Sequence, residues 1–236
     1  MSYNIAIDGP AGAGKSTIAK ALAKRLNLIY VDTGAMYRAM ALYLLRERIN
    51  PDDAQAVSEN CEEADITIRY EDGVQVVYLN GENVNAFLRT EEVGNMASKT
   101  SPQPAIRKKL VELQQKLAAN SDCVMDGRDI GTCVLPNADV KIYMTASSYV
   151  RAKRRFDELT AKGESCDLEK IKADIEERDY RDMHRETSPL KQAEDALLLD
   201  TSDMTIEEVV SAMISICEEK NAARNQKGAE KSKEDI

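Results

Sequence analysis

The residues best equipped for chemistry form one run, Gly9-Pro10-Ala11-Gly12-Ala13-Gly14-Lys15-Ser16-Thr17, of the form G-x-x-x-x-G-K-[ST]. Glycines in such a loop let backbone N–H groups approach phosphate oxygens that side chains would otherwise block. Lys15 places a point charge at the outer phosphates, and the Ser16 hydroxyl suits a Mg²⁺ ligand. The apolar run Tyr3–Asp8 reads as a strand, while Ile18, Ala19, Leu22, Ala23 and Leu26 follow helical spacing. A helix opening near Lys15 turns its partial positive N-terminus toward the same anion. Strand, loop and helix together imply a bound nucleoside triphosphate.

Other groups say what the triphosphate meets. Met125-Asp126-Gly127-Arg128-Asp129 ends an apolar strand in an acid. Asp126 is then placed to serve the Mg²⁺ site or to position water, and Arg128 presents a planar fork to phosphate oxygens. Thr33-Gly34-Ala35-Met36-Tyr37-Arg38 follows a second strand with a hydroxyl, a helix start, an aromatic and a cation. Arg38 suits a second anion, and Tyr37 the sugar or base attached to it. Arg151, Arg154 and Arg155 share one helix face at i, i+3, i+4. Same-face arginines without matching acids repel one another and a negative ligand relieves that, so the trio reads as a mobile clamp over the triphosphate. Arg178, Asp182 and Arg185 continue the stripe begun by Ile171 and Ile175, as a helix forming a cleft wall would. The single histidine, His184, reads as a solvated helix-end residue.

The elements that must hold these groups alternate strand and helix. Leu28–Asp32 reads as a strand, 35–49 as a helix broken by Asn50-Pro51, and Pro104–Ala119 as an amphipathic helix. Asp122–Asp126, Val140–Met144 and Ala196–Asp200 are further strands, with helices expected over 148–162, 168–183 and after the capping box Thr205-x-x-Glu208. Asp65–Tyr70 and Val74–Leu79 alternate about a turn at Glu71-Asp72-Gly73, and Asn80-Gly81 leads to a short strand near Val84. This antiparallel unit is expected to stand off a parallel sheet as an insertion. From Glu218 the chain is charged and poor in apolar residues, so the segment 221–236 is expected to be a disordered tail.

Composition narrows the functional classes. A formal net charge of −9 argues against non-specific binding to nucleic acid or an anionic membrane. No stretch approaches the ~18 apolar residues of a membrane span. Cys61, Cys123, Cys133, Cys166 and Cys217 are widely spaced without a C-x-x-C pair, which fits a reducing cytoplasm and disfavours structural zinc.

Taken together, IAIDGPAGAGKST (5–17), VDTGAMYR (31–38), DGRDIGTCVLPNADVKIY (126–143) and ERDYRDMHRETSPL (177–190) resemble the bacterial cytidylate kinases. These belong to the P-loop nucleoside monophosphate kinase superfamily. The resemblance implies an α/β fold: a P-loop NTPase-type parallel sheet flanked by helices, with a small antiparallel insert at about 61–88 and a helical lid at about 148–166, all within 1–220. It implies transfer of a phosphoryl group from ATP, with Mg²⁺, to CMP or dCMP by a monomer. By matching motif, Arg38, Arg128 and Arg185 hold the acceptor's phosphate. Arg178 and Asp182 hold its ribose, with Thr33 and Tyr37 beside it. Ser98, Arg107 and Asp129 read the cytosine edge, and Arg151, Arg154 and Arg155 belong to the lid. Thr33 stands where the family often has Ser, and the segment 99–104 departs most from the family pattern. A kinase for another small acceptor such as UMP or AMP is the nearest alternative. A nucleotide-dependent switch is the other, and it wants an N-K-x-D motif that the sequence lacks.

Overall fold

The computed structural model describes residues 2–234, with side chains described through residue 222. β1 (Asn4–Asp8) leads through the glycine loop into α1 (Lys15–Leu26), and β2 (Ile29–Asp32) runs directly into α2 (Thr33–Arg46) and then α3 (Ala54–Cys61). An antiparallel unit follows, β3 (Ile66–Glu71), β4 (Val74–Leu79) and β5 (Glu82–Asn83), and then α4 (Glu91–Thr100) and α5 (Pro104–Asn120). β6 (Cys123–Gly127) passes through a π-helical turn, Ile130–Val134, to β7 (Val140–Thr145). The chain closes with α6 (Ser148–Ala161), α7 (Leu168–His184), β8 (Leu197–Asp200) and α8 (Ile206–Glu234).

Five strands form one parallel sheet in the order β2-β6-β1-β7-β8. β1 lies between β6 and β7, so the glycine loop at its carboxyl end opens where the connections diverge, the usual ligand crevice of such sheets. Both faces of β1 are buried, which is why it reads as a continuous apolar run. Ala6 packs with α2 and α5, whereas Ile5 and Ile7 pack with Ile18, Leu22 and Met213 of α1 and α8. Fully burying a side chain such as Leu22 contributes about 1.5–3 kcal/mol. Among the described residues no helix is long and apolar enough to cross a membrane.

Two expectations need correction. Helix α2 starts at Thr33 and stops at Arg46, not Ile49, because Asp32 caps it and Arg48 turns to a φ of 55°. The antiparallel insert does not stand clear of the sheet: the Tyr70 hydroxyl and the Gln75 carboxamide reach the backbone of β2. α8 runs from Ile206 to Glu234 and takes in the first part of the 221–236 segment. The side chains of 223–236 lie outside the described residues. At the start of α8 the capping box forms as expected, Thr205 N–H donating to Glu208 Oε2 at 2.8 Å and Glu208 N–H to Thr205 Oγ at 3.3 Å.

Candidate active site

The glycine loop is shaped by close approach. A side chain at Gly9 would put its Cβ 1.9 Å from the Met144 carbonyl oxygen, so β1 leaves the sheet only through a glycine with φ of 151°. Gly14 opens α1 at φ 89°, and no side chain caps the helix there. The positive end of α1 is thereby left facing the loop's interior. Lys15 is buried and donates to the Pro10 carbonyl at 2.7 Å. Burial, then the neighbouring Arg128 cation, lowers its pKa well below that of a free lysine.

Asp126 stands at the end of β6 beside this loop. Its Oδ2 accepts from the Ser16 hydroxyl at 2.9 Å and its Oδ1 from the Tyr30 hydroxyl at 2.8 Å. Burial, and next the Asp32 carboxylate, raise the Asp126 pKa. Just beyond, Asp8 fixes the turn that carries DGRDIGT, accepting from the Ile130 and Gly131 N–H groups, each at 2.7 Å.

A second group of cations faces the loop across a cavity of about 790 Å³ whose lining includes the loop, Arg38, Arg128, Arg178 and Arg185. Arg38 and Arg89 both reach Asp32 Oδ2 at 3.2 Å. Arg128 Nε donates to Asp182 Oδ2 at 2.9 Å. Burial pushes the Asp182 carboxyl up, but Arg128 and Arg178 outweigh it and hold it below the usual carboxylate range. Arg185 bridges toward Asp129 at 3.5 Å and Asp182 at 4.0 Å. Arg107 pairs with the same Asp129 through a buried bond, and its guanidinium lies 5.6 Å from the Tyr37 ring centre.

Several buried donors here have no protein partner among the described residues: Tyr37 Oη, Arg38 Nε, Arg107 Nε and Arg178 Nε. Burial, and then Arg128, depress the Arg178 pKa to about 10. Stranded donors and crowded cations are costly unless something negative arrives, so the cavity is built for an anion. Thr33 and Ser98 line the same space, Thr33 donating its hydroxyl to the Asp126 carbonyl at 2.8 Å.

The α6 arginines have separate partners. Arg151 is buried, pairs with Asp179 at 2.6 Å and donates to the Ala11 and Ala146 carbonyls, each at 2.8 Å. Arg154 donates to the Thr201 carbonyl at 2.7 Å and the Ala13 carbonyl at 3.3 Å. Arg155 is half-exposed and pairs with Glu158. The expected shared clamp presumed no matching acids, and Asp179 and Glu158 supply them. Arg151 therefore braces the loop, and all three arginines line the cavity.

The sequence profile of the cytidylate kinases matches residues 5–219. The chain belongs to the cytidylate kinase family. It is 50% identical over 216 residues to a cytidylate kinase of Lactobacillus gasseri, covering 92% of this chain and 94% of that one. It is 49% identical over 219 residues to a cytidylate kinase of Geobacillus sp. strain WCH70, covering 93% and 98%. Among solved structures, an uncharacterized protein from Eubacterium ventriosum shares the fold, with a TM-score of 0.52 at 14% identity over 93% of this chain and 99% of that one.

In this cytidylate kinase family member the structure adds residues that sequence reasoning passed over. Asp179 sits inside the ERDYRD run but faces the phosphate loop, donating nothing and accepting from Ala11 N–H at 3.2 Å. Tyr30 reads as a strand aromatic, and Arg89 falls between elements with no periodicity to mark it. Met204, Ile206 and Val209 give the cavity an apolar extension beside Arg154 and Thr201, suited to a flat base.

Proposed function

We propose that the chain transfers the γ-phosphoryl group of ATP to CMP or dCMP, giving ADP and CDP or dCDP. The observation that carries this reading is the single cavity in which a phosphate loop faces a separate arginine cluster with unpartnered buried donors. One anion-binding loop suffices for a hydrolase or a switch. A second, preformed anion site opposite it suits an acceptor that is itself a phosphate.

In this scheme the loop Gly9–Thr17 holds the ATP phosphates. Arg38, Arg128 and Arg185 hold the acceptor's phosphate, joined by Arg89. Arg178 and Asp182 hold its ribose beside Thr33 and Tyr37, and Ser98, Arg107 and Asp129 face the cytosine edge. An acceptor phosphate oxygen attacks the γ-phosphorus, a new P–O bond forms, and the bond to the β–γ bridging oxygen breaks, leaving its electron pair on ADP. Lys15, Arg128, Arg154 and Arg155 spread the developing charge, while Arg151 keeps the loop in place. Segment 148–166 closes over the donor and excludes water, the competing acceptor.

The donor set fits Mg²⁺: a hydroxyl from Ser16 and the Asp126 carboxylate are hard oxygen ligands. Among the described residues no cluster of three or more acids, histidines or cysteines would hold a metal alone. Bound there, Mg²⁺ neutralises phosphate charge. Five free cysteines support a cytoplasmic setting, and the family resemblance supports action as a monomer. Phosphorus NMR of a mixture of protein, ATP, Mg²⁺ and CMP tests the reading: CDP and ADP should appear in equal amounts. Inorganic phosphate with no CDP would contradict it.

A further inference from the structure

β2 is an outer strand of the parallel sheet, and its outward backbone groups meet side chains instead of another strand. The Tyr30 carbonyl accepts from the Tyr70 hydroxyl at 3.1 Å. Asp32 N–H donates to Gln75 Oε1 at 2.8 Å, and the Asp32 carbonyl accepts from Gln75 Nε2 at 3.2 Å. Tyr70 and Gln75 are directly opposite each other in β3 and β4, so one rung of the insert makes all three bonds. A carboxamide offers a donor and an acceptor side by side, as a peptide group does, and here it prolongs the ladder beyond the sheet's edge.

The two β2 residues gripped in this way also send their side chains into the active site. Tyr30 holds Asp126 through its hydroxyl. Asp32 is busier. Its Oδ1 caps α2 by accepting from Ala35 N–H at 2.9 Å, and its Oδ2 lies 3.2 Å from both Arg38 and Arg89. An ion pair orients a guanidinium only as well as the carboxylate is itself held. The side chain of Arg89 is 67% exposed, so solvent does little to orient it. Gln75 is in turn held from the insert side, where Asn85 Nδ2 donates to its carbonyl at 3.2 Å and Asn85 Oδ1 accepts from Val77 N–H at 3.0 Å.

We infer that Gln75 is a positioning residue for acceptor binding: its carboxamide, paired with the Asp32 backbone, fixes the carboxylate that aims Arg38 and Arg89. The inference rests on the acceptor site proposed above. It assigns the insert a task beyond walling the cleft. Gln75 touches no substrate, and it acts on the acceptor half of the site while leaving the phosphate loop alone.

The test compares wild type with Gln75→Met, which keeps side-chain length and loses both bonds, and Gln75→Ala, which loses the packing as well. Steady-state rates with ATP and CMP are measured alongside hydrogen exchange at the Asp32 amide in the substrate-free protein. Both variants should raise KM for CMP about tenfold, the effect of losing a net hydrogen-bond pair, while kcat and KM for ATP stay within about twofold. Exchange at the Asp32 amide should quicken. Tyr70→Phe, which removes one neutral bond to Tyr30, should raise KM for CMP less. Should Gln75→Ala fail to fold, Gln75→Met carries the comparison. A wild-type KM for CMP in Gln75→Met overturns the inference, as does an equal loss for ATP and CMP, which is general loosening. No CMP turnover by the wild-type chain overturns the kinase reading instead, and unchanged Asp32 exchange in Gln75→Met then overturns the Gln75–Asp32 link itself.

Discussion

Arg151 and Asp179 form a buried ion pair, Nη1 to Oδ2 at 2.6 Å, that brackets a single residue of the phosphate loop, Ala11. Ala11 N–H donates to Asp179 Oδ1 at 3.2 Å, and the Ala11 carbonyl accepts from Arg151 Nη1 at 2.8 Å. Helices α6 and α7 thus hold the loop between two opposite charges. Removing one partner strands the other in a dry site, at a cost of about 3–5 kcal/mol. Asp179→Ala is expected to lose that much in denaturant unfolding and to weaken ATP binding. An unchanged unfolding midpoint would mean that water replaces the pair.

Arg128 lies between the two halves of the cavity, held by Asp182 through Nε. Its Nη1 donates to the Gly127 carbonyl at 3.3 Å, and in the function proposed above the guanidinium also holds the acceptor's phosphate. Arg128→Ala is expected to cut kcat/KM for CMP about a hundredfold, from the loss of charge-assisted bonds worth ~1.5–3 kcal/mol each. ATP affinity measured by calorimetry should barely move. Unchanged steady-state kinetics would remove Arg128 from the site.

In the proposed scheme Arg155 acts from the lid, the closing segment 148–166, and adds little to stability. Its pair with Glu158 is half-exposed, 49% and 50%, and such a pair contributes ~0–1 kcal/mol at most. Arg155→Ala should leave the melting temperature nearly untouched while lowering kcat tenfold or more, because its charge is lost from the closing segment. Equal kcat in variant and wild type would exclude it from the charge-stabilising set.

Asp8 makes stability depend on pH. Burial raises its carboxyl from 3.8 to about 6, more than the Gly131 and Ile130 N–H groups lower it. The folded protein therefore keeps a proton that the unfolded chain has released, and stability falls as pH rises through that window. The loss amounts to about 3 kcal/mol by pH 7. Asp8→Asn removes the titration, so urea unfolding across pH 4.5–7.5 should shift the comparison toward the variant as pH rises. A gap between the two proteins that stays constant would contradict this.

How much of this was legible beforehand depends on the distance over which each residue acts. The glycine loop, Asp126 and Arg128 are readable because the backbone beside them dictates their use: a strand end, a sharp turn, a helix start. The alternation of β3 and β4 gave the hairpin, but not where it leans, because Gln75 and Tyr70 make bonds to β2 that no local pattern encodes. Arg151 was visible as a cation on a helix face, yet its acid, Asp179, lies on the next helix, and only the fold brings them together. Asp8 ends its strand with an acid just as Asp126 does, and only the π-helical turn reveals that it serves backbone N–H groups.

The most direct test of the central claim is the rate of ADP release from ATP and Mg²⁺ with CMP, dCMP, UMP, AMP or no acceptor. The account predicts fast release with CMP and dCMP, weak release with UMP and AMP, and almost none without an acceptor, because the arginine cluster, Arg107 and Asp129 are built for one kind of phosphate-bearing base. Equal rates across the panel, or full turnover with no acceptor, would contradict it.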